Sequence, residues 1–386
     1  MKRATKLALG VSFVALSIAA GVFAFLPPQD ADARGFAAYN NGDYEGAHRF
    51  WRAAAQWGDA RAQANLALLY RDGRGVQQNL AEAARWFARA AEQGIAPAQV
   101  NLAAMYVSGQ GVPRNDEEAA KWLRLAADKG DAYAQYDLGF LYRAGRLKAR
   151  DASEAARWYA LAAAEGDVAA QFNLGNLYLA GQGVAQSDGE AVKWFRLAAE
   201  QGLADAQNNL SFMYLAGRGV EQSNAEAARW YRAAAEQGHS QAQYNLGNMY
   251  LDGKGVAQDQ AEAVKWWRLA AAQGYTDAQY NLGAAYENGF GVAKEITEAV
   301  TWYRLAAEHG NPLAQFSLAV KGADGNGVPR DYVEAYKWFA LAAAGFGEGQ
   351  AAMRDAAIKS RDTVALQMTL AEIGEAQRRA KIWKPR

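Results

Sequence analysis

Two short patterns in the chain contain residue types that can bind phosphate or attack a carbonyl group. Gly253, Lys254 and Gly255 form a glycine-rich loop, and Ser317 lies four residues before Lys321. A phosphate-binding loop follows a strand and ends in Gly-Lys-Ser or Gly-Lys-Thr, whereas the residues before Gly253 have a helical period. Penicillin-binding serine enzymes need Ser-x-x-Lys, and no serine here has a lysine three residues later. The sequence therefore predicts neither a nucleotide site nor a catalytic serine.

The remaining composition argues against other reactive sites. There is no cysteine, which excludes thiol catalysis, thiolate metal sites and disulfides. His48, His239 and His309 lie too far apart to share a proton or a metal ion. The 41 basic and 41 acidic residues balance, and no basic tail stands out. We therefore predict no catalytic residue, no metal site, no cofactor and no nucleic-acid partner.

The first 33 residues form a separate segment. Three basic residues precede an uncharged apolar stretch over 7–26, which is followed by two prolines and by Ala31 and Ala33. This pattern predicts an export signal peptide cleaved after Ala33. The apolar stretch is also long enough to span a bilayer, so an uncleaved N-terminal membrane anchor is the alternative. Both interpretations place the rest of the chain outside the cytoplasm, either periplasmic or secreted, or anchored to the inner membrane.

The stretch AQYNLGNMYLDGKGV, residues 242–256, recurs along the chain at intervals of 36 residues. Eight copies fill residues 59–346 without a gap, which is typical of a stacked array of repeats. Each copy contains one tryptophan at the same position: Trp86, Trp122, Trp158, Trp194, Trp230, Trp266, Trp302 and Trp338. Because other copies replace Lys254 by arginine, glutamine or phenylalanine, the glycine loop is predicted to connect two helices rather than to bind a ligand.

Each copy is predicted to form two helices. In the first helix, residues such as Ala242, Leu246 and Tyr250 form one apolar stripe at helical spacing. The second helix begins at a polar N-cap such as Asp259, and every copy has a glutamate three residues later, which is the pattern of a capping box. It ends at a glycine such as Gly274. The predicted fold class is therefore all-α, with roughly 20 helices.

The pattern Ala-Gln-x-Asn-Leu-Gly-x-x-Tyr-x-x-Gly-x-Gly-Val, followed by Ala-x-x-Trp and Ala-Ala-x-Gln-Gly, resembles the Sel1-like repeat family, a relative of tetratricopeptide (TPR) repeats. The resemblance covers about three quarters of the chain. It implies an α/α superhelical solenoid of helix-pair repeats with a concave surface, and a role as an adaptor or scaffold. Some cysteine-rich members are described as β-lactamases, so an enzyme of that kind is one alternative, although no active-site residues support it here. A purely architectural envelope protein is another.

Both ends of the array are predicted to be caps. Residues 34–58 resemble a shortened TPR helix pair, and residues 347–386 contain two helices outside the period. Capped arrays avoid end-to-end association, so we expect a monomer. In the third copy Leu147 and Lys148 replace Gly-Val, which predicts a loop of different shape, either a contact point or simple sequence drift. In the eighth copy Gly322 replaces a tyrosine, as expected next to a cap.

We predict that the binding function lies on the face of the first helix opposite its apolar stripe. On this face, positions equivalent to Tyr244 carry mostly aromatic side chains, and positions equivalent to Asn245 carry mostly amides. In TPR relatives this face lines the concave surface. Aromatic rings would supply contact area, and amides would bond to a peptide backbone. The candidate partner-binding residues are Tyr136, Phe172, Tyr244, Tyr280, Asn173, Asn209, Asn245 and Asn281.

The same residues have a second interpretation. Neighbouring helices pack at roughly 8–10 Å, so the aromatic side chains can fill the seam between first helices, and the asparagines can bond to the adjacent repeat. Sequence reasoning leaves both interpretations open. The predicted function is a non-catalytic, exported scaffold that binds a protein or peptide partner, in envelope signalling or host contact. Contact with a membrane is expected only through the N-terminal segment, if it is not cleaved.

Overall fold

The structure, a computed structural model, describes residues 31–147 and 151–385. These residues fall into two compact units, with the boundary between Ala198 and Ala199. Within the described residues the regular elements are 20 α-helices and one short 3₁₀ helix, without a strand. The prediction of an all-α protein built from repeated helix pairs is confirmed.

The first unit contains nine helices and most of a tenth: α1 (Ala31–Asn40), α2 (Tyr44–Gln56), α3 (Ala60–Asp72), α4 (Leu80–Glu92), α5 (Ala96–Ser108), α6 (Asp116–Ala127), α7 (Ala132–Arg143), α8 (Ala152–Ala164), α9 (Val168–Ala180) and α10 (Asp188–Glu200). The second unit contains α11 (Ala204–Ala216), α12 (Asn224–Glu236), α13 (Ser240–Asp252), α14 (Gln260–Ala272), α15 (Thr276–Asn288), α16 (Ile296–Glu308), α17 (Pro312–Asp324), α18 (Tyr332–Gly345), α19 (Ala351–Ala365) and α20 (Leu370–Ile382). From α3 to α18, odd-numbered helices are first helices of a repeat and even-numbered helices are second helices.

The turns inside a repeat follow from its cap residues, as α13 and α14 show. Helix α13 ends at Asp252 and is followed by its C-cap residue Gly253, whose φ of 69° lies in the left-handed region that favours glycine. Helix α14 begins after Asp259, whose carboxylate accepts a hydrogen bond of 3.1 Å from the backbone N–H of Glu262. Glu262 itself was expected to complete a capping box. Its carboxylate instead accepts from Lys265 at 3.0 Å. The N–H that a capping box would engage, that of Asp259, donates to the Tyr250 carbonyl at 2.9 Å.

Consecutive repeats are joined by a buried glutamine in each first helix. The Nε2 atom of Gln243 donates to the carbonyl oxygen of Ala235, in the last turn of the preceding second helix, at 3.0 Å. The Ala235 carbonyl also accepts from the N–H of Gly238 at 3.0 Å, so the bond from Gln243 uses its second lone pair. The equivalent bonds are made by Gln63, Gln99, Gln135, Gln171, Gln207, Gln279 and Gln315.

The two ends of the array also form helices. Helices α1 and α2 pack as a hairpin, and Asp43 caps α2 by accepting from the N–H of Gly46. Near the C-terminus, α20 packs on α18, and the Trp383 ring lies edge-on to the Trp338 ring at a centroid distance of 5.9 Å. The proposed limits of the caps stay predictions.

The predicted signal peptide or anchor falls mainly on residues 1–30, which lie outside the described residues. Helix α1 begins at Ala31, so the predicted cleavage point after Ala33 falls within this helix. Among the helices that the structure describes, none combines the length and the hydropathy needed to cross a bilayer.

Candidate protein-binding surface

The candidate residues lie on first helices, and we refer to them as the first-helix surface. In the first unit this surface comprises Tyr136, Phe172 and Asn173. In the second unit it comprises Tyr244, Tyr280, Asn209, Asn245 and Asn281. All four aromatic side chains are half-buried, so each ring has one part packed and another part in contact with solvent.

The packed part of three rings contacts an aromatic ring on the second helix of the same repeat. Centroid distances are 5.6 Å for Tyr136 and Tyr159, 5.9 Å for Phe172 and Phe195, and 5.7 Å for Tyr280 and Tyr303. These distances lie in the range of favourable aromatic pairs. The three rings therefore stabilise their own helix hairpins, in addition to any role toward a partner.

Tyr244 makes a different contact. Its ring lies 5.1 Å from that of Tyr275, the residue that precedes the next first helix, α15. Trp267 on α14 occupies the second-helix position that is Tyr159, Phe195 or Tyr303 in the other three repeats. Its indole N–H donates to Asn248 at 3.1 Å. The Tyr244 ring thus packs between consecutive repeats, as the seam interpretation expects for this one ring.

The asparagines bond largely to other repeats or to neighbouring side chains. Asn173 is buried, and its Nδ2 atom lies 3.5 Å from the Tyr136 hydroxyl of the preceding repeat. Asn281 is half-buried and donates to Oδ1 of Asn248 in the preceding repeat at 3.2 Å. A side-chain amide has two N–H donors and an oxygen with two lone pairs. One such bond therefore leaves part of the half-buried Asn281 amide available to a partner, whereas Asn173 is buried.

The two other asparagines also have neighbours. Asn209 accepts from Asn208 at 3.4 Å. Burial raises the pKa of the Tyr231 hydroxyl to about 12, although a hydrogen bond with Asn245 acts in the opposite direction. Each candidate amide thus has at least one contact within the protein, and partner binding by these residues stays a prediction.

The third repeat places a carboxyl group in the amide column. Asp137 is half-buried on α7, and burial, followed by the nearby charges of Asp131 and Asp167, raises its pKa to about 7. Such a group changes charge near neutral pH. Within the described residues, no three acidic or histidine side chains are arranged to hold a metal ion.

Comparison with known proteins identifies the repeats. The family model described as Sel1 repeat matches eight consecutive stretches: residues 60–95, 96–131, 132–167, 168–203, 204–239, 240–275, 276–311 and 312–345. The chain belongs to the Sel1 repeat family. Sel1-repeat proteins generally act as scaffolds for protein interactions, and their fold is typically non-catalytic.

Two solved Sel1-repeat structures cover most of the chain. A protective antigen present in uropathogenic Escherichia coli strains is 32% identical, with a TM-score of 0.59, over 92% of this chain and 84% of that protein. A Sel1 repeat protein from Oxalobacter formigenes is 38% identical, with a TM-score of 0.62, over 74% of this chain and 85% of that protein. None of the curated proteins compared with the chain matches it. The solenoid of helix pairs is thus confirmed by fold and by family.

In this Sel1 array, sequence reasoning missed an ion pair between the last two repeats. Lys321, considered above only as a catalytic lysine, is buried and bonds to the carboxylate of Glu287. Glu287 also accepts from the Tyr303 hydroxyl at 2.7 Å. Burial acts to raise the pKa of Glu287, but the bonds from Lys321 and Tyr303 outweigh it and lower the pKa. The available signal was a lysine at a position that is otherwise apolar, such as Met249.

Proposed function

We propose that this Sel1-repeat protein is an exported, non-catalytic scaffold that binds a protein or peptide partner through its first-helix surface. The observation that carries the proposal is the row of half-buried aromatic rings at positions where a purely solvated helix face would carry lysine or glutamate. Tyrosine rings next to amides are well suited to a peptide, because the rings bury area and the amides bond to its backbone.

The binding surface is proposed separately for each unit. In the second unit, Tyr244 and Tyr280 supply the rings, with Asn209, Asn245 and Asn281 beside them. In the first unit, Tyr136 and Phe172 play this part, with Asn173. The ring contacts with second helices and neighbouring repeats hold the aromatic side chains in place, which lowers the entropy lost when a partner binds.

Export is proposed from the N-terminal sequence and from one relative. The basic residues, the apolar stretch and the Ala31-x-Ala33 site are typical of an export signal, and a retained anchor would give the same topology. The Escherichia coli relative is described as a protective antigen. An antigen of that kind meets the host, so we extend to this chain a role in host contact or in envelope signalling.

The test is photocrosslinking in intact cells from benzoylphenylalanine placed at Tyr244 or Tyr280. We expect one shared protein adduct from both positions, recovered with the envelope or periplasmic fraction. A matched control carries the same probe at Leu269, a leucine on α14 that is 45% exposed. Equal crosslinking from Leu269 would contradict a specific first-helix surface, and an adduct in the cytoplasmic fraction would contradict export.

Once the partner is identified, its affinity for the variant carrying Tyr244→Ala and Tyr280→Ala can be measured. We expect binding to weaken by about 2 kcal/mol or more, as for interface hot spots. Because these rings also contact Tyr275 and Tyr303, the variant should melt earlier as well. Binding is therefore measured below the melting transition. Unchanged affinity of the folded variant would show that the rings serve packing alone.

A further inference from the structure

One tyrosine position in the repeat pairs with an arginine of the preceding repeat. Arg232 on α12 donates to the Tyr250 hydroxyl at 2.7 Å, and Arg268 on α14 donates to the Tyr286 hydroxyl at 2.9 Å. Arg124 and Tyr142 form the same pair in the first unit. In each case the arginine lies on the second helix of one repeat and the tyrosine on the first helix of the next.

The eighth repeat keeps the arginine but has lost the tyrosine. Arg304 on α16 occupies the arginine position, and Gly322 on α17 occupies the tyrosine position. The backbone there is unchanged, because the N–H of Asp331 donates to the Gly322 carbonyl at 3.0 Å, as the N–H of Glu295 does to that of Tyr286 at 2.9 Å. The difference is therefore the missing side chain alone.

Steric crowding does not explain this glycine. A Cβ atom added to Gly322 would meet its nearest neighbours, the Ala335 Cβ and the Asp331 carbonyl oxygen, at 3.8 Å, which is ordinary van der Waals contact. By contrast, a Cβ added to Gly247, another glycine within a first helix, would lie 2.5 Å from Nε1 of Trp267. Glycine also costs roughly 0.5–1 kcal/mol relative to alanine within a helix. Position 322 therefore has room for a side chain that the sequence does not supply.

A cavity of about 440 Å³ is bordered by Gly322, at the place of the missing ring. This volume falls in the range of small-molecule pockets, about 300–1,000 Å³. Leu318, Val328 and Trp338 line its apolar part. Its polar part is lined by charged side chains of both signs: Arg304, Glu308, Arg330, Asp331, Glu334 and Lys337. Within the described part of the chain, no hydrogen bond or ion pair engages the Arg304 guanidinium.

The Trp338 wall is held in place from other directions. The ammonium group of Lys337 lies 4.0 Å from the Trp338 ring centroid, and the Trp383 ring packs edge-on against it. A second cavity of about 380 Å³ adjoins the first, since Arg304 and Val328 line both. It is bordered by Thr297, Thr301 and Leu305 of α16, so the two cavities together extend along this helix.

We propose that the Gly322 cavity binds a tyrosine side chain of a partner polypeptide. Its hydroxyl accepts from Arg304, as those of Tyr250 and Tyr286 accept from their arginines, and its main chain continues along the second cavity. The repeats themselves provide the template for this occupant, because a tyrosine fills the same place in the neighbouring copies. The site lies apart from the first-helix surface and is tested with different residues.

The test is selection of peptides from a random heptapeptide phage library on the wild-type protein, after removal of those that bind the Gly322→Tyr variant. We expect a tyrosine at one fixed position in the selected peptides. The Gly322→Tyr variant should melt at a higher temperature than the wild type, because it fills the cavity with its own ring. Gly322→Ala is the matched control: it removes the helical glycine but leaves most of the cavity, so it should retain binding.

Arg304→Ala provides a measurement that does not depend on the filled variant, because this exposed side chain is outside the core. A selected peptide should lose about tenfold in affinity for Arg304→Ala, while its phenylalanine analogue should bind both proteins equally. Selected peptides without a fixed tyrosine, equal affinity for the wild type and Arg304→Ala, or no peptide left after the removal step would overturn the proposal. The proposal would also be overturned if no peptide were selected and p-cresol alone bound the protein, as measured by saturation-transfer NMR. The occupant of the cavity would then be a free phenol.

Discussion

The third and sixth repeats have the same helices but join their loops to the preceding repeat in different ways. In the sixth repeat, Gly255 has a φ of 72°, and its backbone approaches the first residue of α12 so closely that an added Cβ would lie 2.1 Å from the Asn224 carbonyl oxygen. In the third repeat the equivalent residue is Leu147, which is buried. Because leucine has a Cβ atom, Leu147 cannot bring its backbone as close to α6 as Gly255 comes to α12.

The third repeat makes the same connection with side chains. Arg146 donates to both carboxylate oxygens of Asp116, the first residue of α6, at 2.9 and 2.5 Å, and to the Val107 carbonyl at 3.3 Å. Asp116 occupies on α6 the place that Asn224 occupies on α12. The comparison shows that the point of attachment is common to both repeats, whereas its chemistry differs.

The largest expected effect comes from placing a side chain at the close backbone approach. Gly255→Ala should destabilise the second unit by more than about 4 kcal/mol, because the methyl group requires both a left-handed backbone and a shift of α12. Gly274→Ala is the matched control: its φ is 84°, but an added Cβ would meet no atom within 4 Å. It should cost only about 1–2 kcal/mol.

Urea unfolding followed by circular dichroism measures both changes. Equal losses for Gly255→Ala and Gly274→Ala would mean that backbone conformation alone selects glycine. The close approach to α12 would then have no energetic role, and the contrast with the third repeat would disappear.

The next effect concerns the amide column, in which the third repeat has Asp137 and the sixth has Asn245. The pKa of Asp137 is raised from 3.8 to about 7 in the folded protein. Between these values the folded carboxyl keeps its proton while the unfolded one has lost it, so folding binds a proton and stability falls as pH rises through this interval. Above about pH 7 both are ionised, and no further change is expected.

Asp137→Asn should remove this pH dependence. Relative to the wild type, the variant should gain about 2–4 kcal/mol in free energy of unfolding as pH rises from 4 to 8; the lower part of this range allows for solvent screening of a half-buried group. Unfolding curves at the two pH values measure the gain. A difference between the proteins that stays constant with pH would show that Asp137 titrates normally.

Sequence periodicity predicted the helices because apolar spacing, loop glycines and N-caps recur in every copy. It did not reveal the glutamine bonds such as Gln243 to Ala235. The acceptor of each bond is a backbone carbonyl in another repeat, and the sequence does not indicate which carbonyl a side chain will reach. It also left open how Tyr244 and Tyr280 pack. Tyr244 contacts Tyr275 of the next repeat, whereas Tyr280 contacts Tyr303 of its own hairpin. Helical period specifies which face a side chain occupies, whereas its contacts depend on neighbouring residues such as Trp267 and Tyr303.

The smallest effect tests whether the Arg146 ion pair joins the third repeat to the preceding one. Arg146→Ala should destabilise the first unit by about 2 kcal/mol, because the Asp116 side chain is 13% exposed and would keep only the more exposed Arg114 as a partner. Lys254 is the equivalent residue of the sixth repeat, and its pair with Asp252 is 57% and 45% exposed. Lys254→Ala should therefore change stability by less than about 0.5 kcal/mol. Urea midpoints of the two variants give the comparison directly. If both changes are equally small, the side-chain connection contributes nothing, and burial of Leu147 must hold the third loop in place.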